Sequence, residues 1–296
     1  WVAGHRLRRM VEELEDRFVV VDGVRLHYVE AGEGPLVVLL HGFPDFWWTW
    51  RHVIPALVAA GFRVVAVDQR GYALSDRPRH WRDYRVERLA ADVDGLITAL
   101  GEQRAHVVGH DWGAAVAWIL ASLQPERVER LAILNVPHPE RMERALRTSI
   151  RQLRRSWYML FFQLPGLPER LLRAGGRKTL ESVFGDARPG AFTGADLDRY
   201  EQALLGPGGL KGPIDWYRAA LRRNPGALSR LHRPIPAPTL VIWGRQDRHL
   251  GAEWATPTPA LVPDARVAWL PDASHWVHHD EPEAVNRLLV DFLTAA

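Results

Sequence analysis

The sequence predicts an α/β protein, a mostly parallel sheet with helices on both faces and an inserted helical subdomain. Three observations lead there. Continuous apolar runs recur at Leu36 to Leu40, Val64 to Val67, His106 to Val108, Leu131 to Leu134 and Leu240 to Trp243, as expected of strands buried on both faces. Segments of helical spacing separate them, at Trp47 to Ala60, Val86 to Leu100, Trp112 to Leu123 and Pro282 to Leu293. The alternation stops between about Pro137 and Pro238, where Arg, Leu and aromatic residues dominate and no parallel-strand run occurs.

Taken in order, Phe18 to Glu30 reads as a hairpin, because Val19, Val21, Val24, Leu26 and Tyr28 flank an Asp22-Gly23 turn of the kind that joins two short antiparallel strands. The parallel core follows. In the insertion, Gly/Pro breaks at Pro165 to Pro168 and Gly206 to Gly209 punctuate helical segments. The stiff stretch Arg233 to Pro238 cannot continue a helix and marks the return to the sheet. The expected division is a core of residues 1–136 and 237–296 with a lid of residues 137–236. No internal repeat is visible.

Composition narrows the function classes. The chain has 296 residues, 47% hydrophobic and 25% charged, which excludes collagen-like, low-complexity and wholly disordered chains. The absence of cysteine excludes disulfide scaffolds, Cys-ligated zinc, iron-sulfur clusters and a thiol nucleophile, without fixing the compartment. Net charge is +3, and all but Lys178 and Lys211 of the 38 basic residues are arginine. The basic clusters Arg6 to Arg9 and Arg151 to Arg155 read as solvated helix faces. No recognisable module accompanies them, so no nucleic-acid partner is expected. No run of about 18 uncharged apolar residues exists, and no membrane partner is expected either. A cytoplasmic location is the expectation, although the chain starts at Trp1 rather than Met, which leaves room for a targeting segment before it.

Chemistry concentrates in four stretches. His106-Val107-Val108 runs into Gly109-His110-Asp111-Trp112-Gly113 and then a helical segment, the pattern of a nucleophile elbow with Asp at its apex. Taken alone, this stretch is equally compatible with a turn whose Asp merely caps the helix. Leu39-Leu40-His41-Gly42-Phe43-Pro44 follows a buried strand. Backbone N–H groups from such a loop and from the residue after the nucleophile face a developing oxyanion, which points to Phe43 and Trp112; an ordinary Gly-Pro loop is the alternative. Asp247 lies just past one strand and His275 just past the next, with Glu140 a second candidate for the acid. His278-His279 reads as a solvated loop rather than a metal site, because no ligand set of suitable spacing accompanies it. The order nucleophile, acid, histidine is that of the α/β-hydrolase scheme.

The sequence resembles the epoxide hydrolase family of the α/β-hydrolase fold over nearly its whole length. The likeness runs through HGFP at His41 to Pro44, the Trp-rich segment ending in Trp50-Arg51, DQRGYALSD at Asp68 to Asp76, GHDWG at Gly109 to Gly113 and NVPHP at Asn135 to Pro139. SWYMLFFQLPG at Ser156 to Gly166 is similar to the family's first lid-tyrosine segment, and Asp215-Trp216-Tyr217-Arg218 to its second. The resemblance implies Tyr158 and Tyr217 as the lid tyrosines. Ala73 departs from the glycine usual there, which bears on the loop's backbone and not on the chemistry.

The implied reaction suits these residue types. A carboxylate is ionised at neutral pH and attacks carbon without a base, forming an ester that water can cleave. The resemblance then implies Asp111 as nucleophile, His275 oriented by Asp247 as the base for water, and Tyr158 and Tyr217 as acids toward the epoxide oxygen, with no metal or cofactor. The implied partners are a small apolar epoxide and water, and a monomer or homodimer is equally open. Trp47, Trp48, Trp50, Trp112, Trp157, Trp216 and Trp276 cluster at the motifs, suggesting an apolar wall. The expected substrate contacts are His41, Pro44, Trp48, Trp112, Phe161, Trp216 and Trp276. Haloalkane and haloacid dehalogenases share the Asp-His-Asp set, but Phe43 stands where the former offer Asn and Trp112 where the latter carry Arg. A non-catalytic receptor on this fold is expected to lack one of Asp111, His275 or the lid tyrosines, all of which this chain keeps.

Overall fold

In a computed structural model, which describes residues 10–206, 208–223 and 231–295, eight strands form one sheet. They are β1 (Arg17–Val21), β2 (Val24–Ala31), β3 (Leu36–Leu40), β4 (Arg63–Asp68), β5 (Ala105–His110), β6 (Val128–Leu134), β7 (Thr239–Gly244) and β8 (Ala265–Leu270). The spatial order is β1-β2-β4-β3-β5-β6-β7-β8. β1 and β2 form the antiparallel hairpin, and β2 is antiparallel to β4. Every later pairing is parallel. At the hairpin turn Asp22 and Gly23 have φ 47° and 77°, the two positive values that a tight turn between twisted strands requires.

The two faces of the sheet divide the apolar residues by the alternation of a strand. Val38, Leu40, Val65, Val107, Ile133 and Val241 pack on one side with α2 (Val86–Ala99) and α3 (Trp112–Leu123). Val37, Leu39, Val64, Val108, Leu134 and Ile242 pack on the other with α1 (Val53–Ala59) and α12 (Pro282–Thr294). This double burial is why β3 through β7 read as unbroken apolar runs. β8 lies at the sheet edge, mostly half-buried, and shows no such run.

The helix expected over Trp47 to Ala60 is divided. A 3₁₀ turn covers Trp47–Trp50, and α1 starts only at Val53. Pro55 explains the break, since a continuous helix would drive its ring into the carbonyl of Arg51. Between β6 and β7 come α4 (Pro139–Thr148), α5 (Ile150–Arg155), α6 (Trp157–Phe161), α7 (Leu167–Gly175), α8 (Arg177–Val183), α9 (Gly194–Leu205) and α10 (Lys211–Leu221). No strand occurs among the described residues of this insertion. A short α11 (Val277–Asp280) precedes α12. The Arg6 to Arg9 cluster lies outside the described residues.

Candidate active site

The turn from β5 into α3 places Asp111 at φ 49°, ψ −125°, a conformation that costs a non-glycine residue roughly 1–3 kcal/mol and persists only where the surroundings impose it. Neighbouring glycines make room for it. A Cβ on Gly113 would lie 2.0 Å from the Leu40 carbonyl oxygen, and one on Gly42 2.3 Å from the Asp111 Cβ. The Asp111 side chain does not cap α3, which removes the capping alternative. Instead its Oδ1 accepts from the Phe43 N–H at 2.7 Å. Trp112 opens α3, so its own N–H has no acceptor within the helix.

Across from Asp111, His275 Nε2 lies 3.5 Å from Asp111 Oδ2, and His275 Nδ1 is 2.8 Å from Asp247 Oδ2. Asp247 is held from all sides. Its Oδ1 accepts from the backbone N–H of His249 (2.7 Å) and Leu250 (2.8 Å), and its Oδ2 accepts from Asn135 Nδ2 at 2.7 Å. Asn135 stands at φ 51° just past β6, and its Oδ1 accepts from the Gly244 N–H at 2.8 Å. Glu140, the second candidate acid, is engaged elsewhere: its Oε2 accepts from the Thr258 hydroxyl at 2.7 Å.

The charges settle each other. Burial alone would raise the Asp111 pKa, but the hydrogen bond and charge of His275, the charge of His110 and the Phe43 N–H outweigh it and hold the group at about 2. Burial opposes charge on His275 as well. The Asp247 and Asp111 carboxylates overcome this and raise its pKa well above the ordinary histidine value. Both shifts run toward the charged forms, a carboxylate facing an imidazolium.

A cavity of about 590 Å³ opens over Asp111 and His275. Tyr158 and Tyr217 reach it from α6 and α10, their rings 5.8 Å apart and nearly perpendicular. Burial, followed for Tyr158 by the Asp111 carboxylate and for Tyr217 by Tyr158 and Asp111, keeps both phenols protonated far above neutral pH. The expected contacts Trp112, Phe161, Trp216 and Trp276 line the same space, and so does Phe43 of the expected oxyanion pair. His249 and Phe162 also line it and were not legible in the sequence. His249 follows Asp247 by two residues, and its ring lies 5.2 Å from that of His275.

Other expectations are corrected. His41, Pro44 and Trp48 do not line the cavity. His41 is buried beneath the loop, its Nδ1 donating to the Gly42 carbonyl and its Nε2 accepting from the Gln69 N–H. Trp48 is fully buried and its indole donates to Asp196 Oδ1 at 2.9 Å, while Trp50 is likewise core; Trp47 packs at the edge of both core clusters. The apolar wall therefore draws on Trp112, Trp157, Trp216 and Trp276 alone among the seven. Ala73 takes φ 39°, the left-handed region that glycine enters freely and alanine at a cost of about 1 kcal/mol.

His278 and His279 are not a solvated loop. They are buried on α11, and their hydrogen bonds explain it. Arg51 donates to His279 Nδ1 at 3.1 Å, so His279 Nε2 carries its proton and donates to Thr49 Oγ1 at 2.8 Å. The Thr49 hydroxyl also lies 2.7 Å from His278 Nε2, within hydrogen-bond distance. His278 does stand with Asp45 and His110 in a buried group whose ligand atoms lie within 4.8 Å of one another.

The sheet order, the helical insertion after β6 and the acid at the β5–α3 turn are those of the α/β-hydrolase class. A family model described as alpha/beta hydrolase fold matches residues 35–282. Among relatives, the AB hydrolase superfamily protein YfhM of Bacillus subtilis (strain 168) is 43% identical over 280 residues, spanning 94% of this chain and 97% of that protein. Epoxide hydrolase 4 of Mus musculus is 38% identical, spanning 92% and 77%. The crystal structure of epoxide hydrolase A from Mycobacterium thermoresistibile superposes with a TM-score of 0.82 at 35% identity, covering 95% of this chain and 98% of its own. That of a Bacillus megaterium epoxide hydrolase in complex with an inhibitor gives 0.84 at 32%, covering 94% and 100%. The chain belongs to the epoxide hydrolase family of the α/β-hydrolase superfamily.

Proposed function

We propose that this protein hydrolyses epoxides to vicinal diols through a covalent ester on Asp111. The observation that carries the reading is the convergence on one cavity of an ionised carboxylate, an imidazole backed by a second carboxylate, and two phenols. With Oδ1 held by the Phe43 N–H, Oδ2 is the oxygen left to attack an epoxide carbon. One C–O ester bond forms as one ring C–O bond breaks. Tyr158 and Tyr217 hydrogen-bond the departing oxygen, and one of them gives up its proton to it, the alkoxide being the stronger base.

Esterification removes the Asp111 charge. His275 then loses one of the two carboxylates that kept it protonated, and the phenolate regains the proton that His275 releases. The neutral imidazole, oriented by Asp247, takes a proton from water as the water oxygen attacks Asp111 Cγ. Negative charge collects on Oδ1, where the Phe43 and Trp112 N–H groups receive it; such a donor contributes about 3 kcal/mol. Collapse breaks the ester bond, the His275 proton passes to the leaving diol oxygen, and transfer of the acid proton of Asp111 to His275 restores the resting pair. Residues 137–236 act in this reading as a lid over a core of 1–136 and 237–296, excluding bulk water from the ester.

Four indoles and Phe161 in the wall favour apolar epoxides. The test is diol formation from styrene oxide and aliphatic epoxides, run beside halide release from haloalkanes. Diol without halide is expected; halide release without diol would overturn the assignment.

A further inference from the structure

The insertion carries an apolar stripe on its outer side. Ser156, between α5 and α6, has a near-helical backbone (φ −94°, ψ 13°), so the two short helices continue one another's spacing. Ile150, Leu153, Trp157 and Leu160 recur along them at intervals of three and four, with Leu164 just beyond. They are 70, 49, 63, 70 and 44% exposed. Gln152, Ser156 and Phe162 are buried from the same stretch. Residues at such spacing share one face. Single exposed leucines are ordinary, but five large apolar side chains in one row mark a surface that meets something.

The charge around the stripe says what it meets. Over residues 141–164 Glu143 is the one acid, and it is paired with Arg147. Arg144, Arg151 and Arg154 are exposed and Arg155 half-buried. None of these four has a carboxylate partner among the described residues. Two copies of the chain meeting through this face would bring arginine against arginine. Exposed Trp, Leu and Ile flanked by unpaired arginines fit instead an anionic, apolar-cored surface. Trp157, Arg154 and Arg155 also line the catalytic cavity, so the stripe runs into the cavity wall.

We infer that this face docks in the plane of an anionic lipid bilayer, so that apolar epoxides dissolved in the membrane pass into the adjoining cavity; the delivery step rests on the epoxide hydrolase reading, the docking does not. No described helix is long and apolar enough to cross a membrane, and lying in the interface requires none. The surface was expected from sequence to have no membrane partner, a reading that weighed only spanning segments.

The test is flotation of the full chain with phosphatidylcholine vesicles, with and without phosphatidylglycerol. Binding is expected only with the anionic lipid and should weaken as salt rises. L153Q/L160Q should lower partitioning about 100-fold and R144Q/R151Q should lower it about 30-fold. None of these four residues lines the cavity, so turnover of a water-soluble epoxide should be unchanged in both variants. For an epoxide preloaded into vesicles, kcat/KM should fall in parallel with binding. Absence of binding to anionic vesicles at low salt, or equal binding by L153Q/L160Q, overturns the docking. A dimer in sedimentation equilibrium that L153Q/L160Q abolishes assigns the face to a second copy and overturns it too. Vesicle binding by a protein that opens no epoxide leaves the docking standing and removes the cavity reading with its delivery step.

Discussion

Replacing Asp111 by Asn, which keeps the shape of the side chain and removes its charge as esterification does, should weaken the hold of His275 on its proton. The interacting atoms are 3.5 Å apart. At an effective dielectric of about 20, two unit charges at that separation interact by about 5 kcal/mol, roughly three orders of magnitude in proton affinity. Asp247 remains at 2.8 Å and solvent relaxes around the neutral amide. A loss of about tenfold or more should nonetheless survive. Imidazole titration by ¹H–¹⁵N NMR reads this directly, with intact mass checked at both ends because the amide carbon occupies the position water attacks. His275 should stay charged well above the ordinary histidine range in the parent and titrate at clearly lower pH in the variant. Identical titrations would refute the argument that alkylation itself converts His275 from a spectator cation into a base.

Other consequences are equally specific. Tyr158→Phe with Tyr217→Phe should slow ring opening by about 10²- to 10⁴-fold, read as the burst of tryptophan quenching in stopped flow; near-parental bursts would remove the phenols from the chemistry. Asn135→Gly tolerates the positive φ and deletes the hydrogen bond to Asp247. Loss of about 1.5–3 kcal/mol should slow ester hydrolysis about 10- to 100-fold and leave alkylation nearly unchanged, and rapid quench showing both steps slowed alike would contradict it. Asp111 sits near 2 in the folded chain against an ordinary 3.8. Its contribution is therefore fully present above about pH 4 and lost as pH falls toward 2, on the order of 2 kcal/mol. Urea midpoints across that range should fall more steeply in the parent than in Asp111→Asn, and parallel slopes would count against the depressed carboxyl.

Much of this architecture is legible in the chain because double burial writes itself as apolar runs. β3 through β7 show it, and the Asp22-Gly23 turn has few alternatives. The elbow is legible because Gly109 and Gly113 bracket an acid directly after a strand. What stays hidden is whatever depends on partners distant in sequence. Trp48 stands beside the His41–Pro44 loop in sequence but points toward Asp196 on α9. His278 and His279 look solvated until Thr49 and Arg51 are seen to hydrogen-bond them from a distant segment. Asn135 lies within a recognisable motif, yet nothing in its neighbours in sequence reveals that it braces Asp247. The Arg151 to Arg155 segment reads as a solvated basic face, and its arginines are largely that; only the fold shows that Leu153, Trp157 and Leu160 share their side.

The most direct test of the covalent account is a single turnover in H₂¹⁸O with enzyme in excess over a styrene oxide substrate. The mechanism takes the first diol's new oxygen from Asp111 and the replacement oxygen from water. Mass spectrometry should therefore find an unlabelled diol and a 2 Da gain confined to the peptide that holds Asp111. A labelled diol from the first turnover, with Asp111 unchanged in mass, would mean that water attacks the epoxide directly and that no ester forms.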